Sequence, residues 1–382
     1  MGDSMNFQSV NILNDRLNKI SGNLLPMTSN SSFSIFWQVY GILVWLELIV
    51  RAGAFIPGIM FVSRERVMAN ATTSIVYTTE VIFLNVQIQR HSKLLRQFIL
   101  ELNDILSTKD EIMKDLVTTI TKPIKTVFTL YCIISVLSLS VCYIMTPLML
   151  VFKKSSFYYE DYIIPVAFSA EPFSAKVYML GSLVLSIGSI YMFLKKAGVD
   201  IYMIHLVMLM TVQYRYITTK LAMIFRESDM RHERDDFAEG CYPRTNSWTE
   251  KELKALCRHH NAIVHLSFLL KKLLSLNFNL IYVISVFRFC FGAIIFKAML
   301  SASFLGGFLI FLFVLAAVLQ FYILCYSIQK LLDASTELTD MAFQENWYKF
   351  GLSIKRIFML MILSNNLECK LTTCEKLNLS LP

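Results

Sequence analysis

Between Lys125 and Lys153 the chain runs for 27 residues without a charged side chain. As one helix, such a run crosses about 30 Å of hydrocarbon, the thickness of a bilayer core. Similar runs recur along the chain. Phe33 to Pro57 is interrupted only by Glu47 and Arg51, which stand four apart on one helix face and can neutralise each other. Val67 to Gln87 is weaker, with Glu80 in its body. Val177 to Leu194 is uncharged, and its helical periodicity continues past Lys195 and Lys196 to about Met223. Leu273 to Gln329 carries only Arg288 and Lys297 as charges, and its 57 residues suffice for two spans around a turn near Ser301, Ser303, Gly306 and Gly307. Six spans are expected.

Composition points the same way. Of 382 residues, 55% are hydrophobic and only 17% charged, too much apolar surface for soluble domains of this size to hide. The fold class is an all-α integral membrane protein, a helical bundle.

The cations set its orientation. Of 36 Lys and Arg, 28 fall in the N-terminus, the even inter-span segments and the tail, against 6 in the odd segments. The positive-inside rule then places both the N-terminus, residues 1–32, and the tail in the cytosol. This excludes a G-protein-coupled receptor, whose N-terminus lies outside and whose third span ends inside on an acidic-Arg-aromatic triplet. Here the third span exits outwards as "TPLMLVFKK". The net charge of +8 is dispersed between apolar blocks rather than interleaved with stacking aromatics, so nucleic acid is not an expected partner.

Chemistry-bearing motifs are missing. There is no Gly-rich phosphate loop, no His-Glu-x-x-His and no Gly-x-Ser-x-Gly. His259 and His260 are adjacent and point to different helix faces, so they cannot chelate one metal together. The eight cysteines fall in spans or cytosolic segments, which offers no disulfide framework, and Cys369 and Cys374 lack a second pair for zinc. No enzyme, metal or cofactor is expected. The N-terminus has no apolar core and reads as no cleavable signal peptide. Asn70-Ala-Thr in the first outer loop is a glycosylation acceptor, whereas Asn30-Ser-Ser would be cytosolic.

Three spans continue below the membrane as amphipathic helices. Ser247 or Thr249 caps a helix in which Leu253, Leu256, His260, Ile263, Val264 and Ser267 share one face. Spans four and six extend through "VDIYMIHLVMLMTVQYRYITTKLAMIF" and "IQKLLDASTELTDMAFQENWYKF". These faces can pack on one another or meet another subunit. The segment 224–250 between them is charged and apolar-poor, a solvated loop. The chain divides into 1–32, spans one to four over 33–223 with an outer loop 153–176, the loop 224–250, spans five and six over 251–346, and 347–382.

Within the bundle, Glu80 and Arg288 form an ion pair, line a polar pathway or snorkel; Asp200 and His205 lie at or below the inner interface. The outer half offers Tyr77, Glu80, Ser138, Val141, Cys142, Met145, Tyr178, Met179, Ser182 and Ser186. Small hydroxyls among aromatics and Met make an apolar pocket with a few polar points, suited to a small volatile or lipophilic ligand. The same residue types also serve plain helix packing in lipid. The loop 153–176 is the longest outer segment and could lid such a pocket.

At span six and the tail, "LQFYILCYSIQKLLDASTELTDMAFQENWYKF" resembles the insect odorant receptor family, with Gln320, Cys325, Leu332, Ser335, Leu338, Ala342 and Trp347 in its order. "IKRIFMLMIL" follows as a basic-apolar helix, and "LKALCRHHNAIVHL" resembles the family's helix before span five, with His260 at its histidine. "SNNLEC" departs from the family's Gln-Pro or Lys-Pro step. The resemblance implies seven spans, an intracellular N-terminus, and a tetrameric ligand-gated non-selective cation channel formed with a common co-receptor subunit in the cell membrane of sensory-neuron dendrites. It implies odorant binding in the outer halves of spans two, three, four and six. It also implies an inter-subunit anchor including His260, Leu332, Ser335, Trp347, Tyr348 and Ile357. Residues 347–382 then hold the anchor part of helix seven, and the chain is expected to stop before the pore part. A gustatory receptor shares this architecture, with its signature in the last span. A secondary transporter would show an internal repeat, which the sequence lacks.

Overall fold

The computed structural model describes residues 5–28, 33–63, 67, 71–107, 110–152, 156–162, 164, 166–236, 245–302, 304–344, 347, 351–368, 372–373 and 377–378. Asn70 and Tyr348 lie outside the described residues, as do the side chains of Cys142 and Met145.

The polar N-terminus folds into a strap. Asn6 caps α1 (Phe7–Val10), its side chain accepting from the Ser9 N–H while the Ser9 hydroxyl accepts from the Asn6 N–H. After α2 (Ile12–Ile20), the Asn18 side chain holds both backbone groups of Leu25, at 2.7 and 2.8 Å. Asn11, Asn14, Asn18 and Asn23 are all buried. Gly22 turns the chain with φ +66°, a conformation that favours glycine, and a Cβ there would stand 3.1 Å from the Gly41 Cα of α3 (Ile35–Phe61).

α3 shows how lipid and protein divide a helix. Gly41, Val44, Leu48, Arg51 and Gly58 recur at three and four and are buried, while Ile35, Ile42, Ile49 and Phe61 on other faces are exposed. Next come α4 (Thr72–Arg90), the amphipathic α5 (Ser92–Leu106), α6 (Glu111–Phe152), α7 (Ala175–Asp236), α8 (Thr245–Ala302), α9 (Phe304–Gln344) and α10 (Leu352–Glu368). Residues Thr372–Thr373 pair antiparallel with Leu377–Asn378. Among the described residues, α3, α6, α7, α8 and α9 are long and apolar enough to cross a membrane. The weaker expected span, α4, is 19 residues long with Glu80 in its body, and packs against α7 and α8.

The structure moves several boundaries. α6 begins at Glu111, well before the expected Thr126, because Met113, Val117 and Ile124 sit at helical spacing and bury against the rest of the bundle. Span three therefore carries an extension too. In the stretch read as a loop, 224–250, α7 continues to Asp236 and α8 begins at Thr245; charged residues such as Arg226 and Glu227 form helix well. At the expected hairpin, α8 ends at Ala302 and α9 begins at Phe304.

The main core lies around the continuation of α7. From Val199 to Leu221 nearly every residue is buried, including Tyr202, Leu206, Leu209, Met210 and Tyr214. A helix apolar on all sides belongs in the middle of a protein or in lipid, and here α2, α3, α4, α6, α8 and α9 all pack against α7. α10 closes one side with Ile354, Phe358 and Met361, and the Phe358 ring stands 5.5 Å from both Trp347 and Phe225.

Candidate functional site

A cavity of about 240 Å³ opens among α3, α4, α6, α7, α8 and α9. It is smaller than the pockets of about 300–1,000 Å³ that hold drug-sized molecules. Apolar walls come from Leu139, Met192, Phe193, Leu309, Ile310 and Phe313, with Ala316 and Ala317 leaving room on α9. Polar points are the side chains of Ser74, Tyr77, Tyr131, Ser135, Ser138 and Ser189, with Arg51, Arg288 and Gln320.

One end is covered by the described residues of the segment 156–174. Ile164 from this segment reaches the cavity wall. Phe157 and Phe173 exchange backbone hydrogen bonds at 3.1 and 3.0 Å, and the Ala167 N–H donates to Ala54 O of α3 at 2.9 Å. Phe157 and Tyr162 stack on Tyr178 of α7, with ring centroids 4.4 and 5.1 Å apart. Tyr162 also stacks on Phe173 at 5.5 Å. Gly181 allows this cover to sit close, because a Cβ there would collide with the Tyr162 hydroxyl.

The other end is a charged floor. Glu80 and Arg288 form an ion pair, and Arg288 Nη1 donates to Gln320 Oε1 at 3.0 Å. Lys196 Nζ lies 2.5 Å from Glu80 and 3.5 Å from Asp200. The Arg288 guanidinium stands 5.8 Å from the centre of the Tyr77 ring. Charges removed from water persist only where partners surround them, and two anions here face two cations. A second close approach lies nearby, where Gly188 of α7 admits Glu47 and Arg51 of α3.

Of the residues expected from sequence, the cavity takes Tyr77 and Ser138, and Glu80 lies in the floor beneath it. Val141, Tyr178, Met179, Ser182 and Ser186 are not among its lining residues. Tyr178 belongs to the aromatic cover, Met179 is 58% exposed, and the Ser186 hydroxyl is turned back to Ser182 O at 2.7 Å. The sequence reading missed Lys196 and Asp200 as floor partners and the whole α9 wall. A Lys four residues before an Asp, in a largely apolar helix, was the available signal for the first two. Among the expected anchor residues, His260 and Ser335 are buried, Leu332 O accepts from the Ser335 hydroxyl at 2.8 Å, and Trp347 and Ile357 pack on the main core.

No curated protein matches the chain in sequence. Among solved structures it is similar to the insect olfactory receptor OR5 from Machilis hrabei, with a TM-score of 0.76 and 12% identity over 98% of this chain and 93% of that one. The same receptor in complex with eugenol gives a TM-score of 0.73 and 13% identity, over 98% and 94%. At such identity the likeness is one of fold. The family model described as 7tm Odorant receptor matches residues 66–382, taking in every element from α4 onward and five of the six helices around the cavity. By that match the chain belongs to the odorant receptor family.

Proposed function

We propose that the chain is the odorant-tuning subunit of a ligand-gated, non-selective cation channel that works with a co-receptor subunit. It sits in the cell membrane of sensory-neuron dendrites with its N-terminal strap in the cytosol. A small volatile or lipophilic molecule binds in the covered cavity, among Tyr77, Ser138, Met192, Phe193 and Phe313. The extensions of α6 to α9, with α10, form the anchor that meets neighbouring subunits.

The observation that carries this reading is the cavity itself: small, mostly apolar, and closed by Ile164 at one end and an ion-paired floor at the other. The family and the fold shared with a receptor solved with eugenol support a small organic ligand. The test is expression with a co-receptor subunit, application of an odorant panel and recording of current. Odorant-evoked cation current that Phe313→Ala shifts is the expected result. Silence across a broad panel, with the chain confirmed at the cell surface, counts against the reading.

A further inference from the structure

The cavity has one wall that can hydrogen-bond and one that cannot. On α6, Tyr131, Ser135 and Ser138 stand four and then three apart, so they share the helix face that lines the space. On α9, Ile310, Phe313 and Ala317 line it with hydrocarbon alone. Elsewhere on α6 and α7 a hydroxyl is spent on the carbonyl one turn back: Thr129 donates to Lys125 O and Ser186 to Ser182 O, both at 2.7 Å. Tyr131 has no such outlet, because a phenol hydroxyl stands too far from its own helix backbone. The residue is 4% exposed, and its ring is held near Phe128 and Phe193, with centroids 5.7 and 6.0 Å away. Among the described residues its hydroxyl makes no hydrogen bond. Nor is that oxygen among the sealed ones, so the surface it keeps faces the cavity.

We infer that the cavity selects small alcohols, with Tyr131 as the residue that reads the ligand hydroxyl. The inference rests on the odorant-binding reading of the same cavity. A ligand that fills the space expels the water that would otherwise answer Tyr131, and a hydrocarbon puts nothing in its place. A ligand hydroxyl accepts from the phenol and still carries a proton of its own, which the oxygen of Ser135 or Ser138 can accept. A ketone oxygen accepts but brings no proton, so it uses half of what this wall offers. The hydrocarbon body then lies against Ile310, Phe313 and Ala317, where burial of apolar surface supplies the rest of the affinity.

The test sets a secondary alcohol against the ketone of the same carbon skeleton, and against the alkane in which a methyl replaces the hydroxyl, on the chain expressed with a co-receptor. Tyr131→Phe deletes one oxygen and keeps the ring between Phe128 and Phe193, so it should reach the surface. It should raise the concentration of alcohol needed, relative to the alkane, by about three- to tenfold, the range of one neutral hydrogen bond. Taking the ratio cancels the different solubilities of the two. On the unaltered chain the alcohol should act at lower concentration than the ketone. An alcohol-to-alkane ratio that Tyr131→Phe leaves unmoved overturns the inference and leaves the cavity reading standing, as does a ketone as potent as its alcohol. Should Tyr131→Phe be missing from the surface, alcohol against ketone on the unaltered chain decides. If no member of a broad panel acts, the cavity reading falls and this inference with it.

Discussion

Lys196 Nζ lies 2.5 Å from the Glu80 carboxylate, and both side chains are fully sealed from solvent. Glu80 also holds Arg288, and Lys196 also reaches Asp200, so four charges depend on one another. Removing one member strands its partners. Glu80→Gln or Lys196→Met should therefore cost about 3–5 kcal/mol, much of the total stability of a typical domain. The double change Glu80→Leu with Arg288→Met leaves the Lys196–Asp200 pair intact and should cost less than the sum of its singles by at least about 1 kcal/mol. Thermal unfolding of the purified protein measures this cycle, and strict additivity would sink the four-charge account.

The neighbouring cation does different work. Lys195 Nζ stands 3.3 Å from Asn23 Oδ1, 3.4 Å from Gly22 O and 4.4 Å from the centre of the Trp45 ring. Asn23 answers by donating to Lys195 O at 2.9 Å. Lys195→Met should release the end of the strap at a cost of about 1.5–3 kcal/mol. Hydrogen exchange should then rise over residues 5–28 before it rises in the α7 core. Unchanged protection there would mean that Asn18 and the bond from the Tyr202 hydroxyl to Pro26 O suffice to hold it.

Much of this fold is legible in the chain, for a definite reason. Runs such as Thr126 to Phe152 show themselves because lipid tolerates few charges, and α3, α6, α7, α8 and α9 were all found that way. The strap was not, because isolated asparagines read as solvated until their partners are known, and those of Asn23 lie 172 residues away. Site depth was also hidden. Ser182, Ser186 and Ser189 share one stripe of α7, but only Ser189 lines the cavity. Where the cavity begins depends on how far residues 156–174 fold down, and helical periodicity carries no record of that. The floor was half legible: Glu80 and Arg288 declared themselves as charges in apolar runs, while Lys196 stood only as the end of an uncharged run.

Asp110, at the start of α6, offers a test of pH dependence. Its carboxylate lies 2.7 Å from Lys220 Nζ and accepts from the Tyr216 hydroxyl at 2.9 Å and from the Ile112 N–H at 3.0 Å. Partial burial pushes its pKa up, but Lys220, Tyr216 and the Ile112 amide outweigh that and hold it below the usual carboxylate value. The stabilisation is therefore present above the unfolded pKa of about 3.9 and is lost as pH falls through the lower folded value. Asp110→Asn should destabilise by less than about 1 kcal/mol at neutral pH, because solvent screens this edge pair. Its deficit against the unaltered chain should shrink in acid; a deficit that grows there would reverse the assigned sign.

The cover over the cavity depends on one missing side chain. At Gly181 even a methyl group would collide with the Tyr162 hydroxyl and come within 2.9 Å of the Phe168 ring. Gly181→Ala should push residues 156–174 outwards, raising the concentration of ligand needed for response and speeding its washout, while surface expression stays near normal. Dose–response and decay of current check both parts. An unaltered decay would show that the cover does not retain ligand.

The cavity volume itself can be removed. Ala317 is buried on α9 and lines the space, and its small side chain is why the space is there. Ala317→Phe adds a ring where the cavity already has about 240 Å³ to receive it, so the usual overpacking cost of about 1–3 kcal/mol should be mostly avoided. The variant should assemble and reach the surface, and its unfolding temperature should hold or rise because the ring fills a void. Response to every ligand should fall together, since the ring competes for volume and not for one polar contact. Ala316→Ser, beside it, changes little volume and serves as the control. Full response from Ala317→Phe, with protein abundance matched, would place the ligand somewhere other than this cavity.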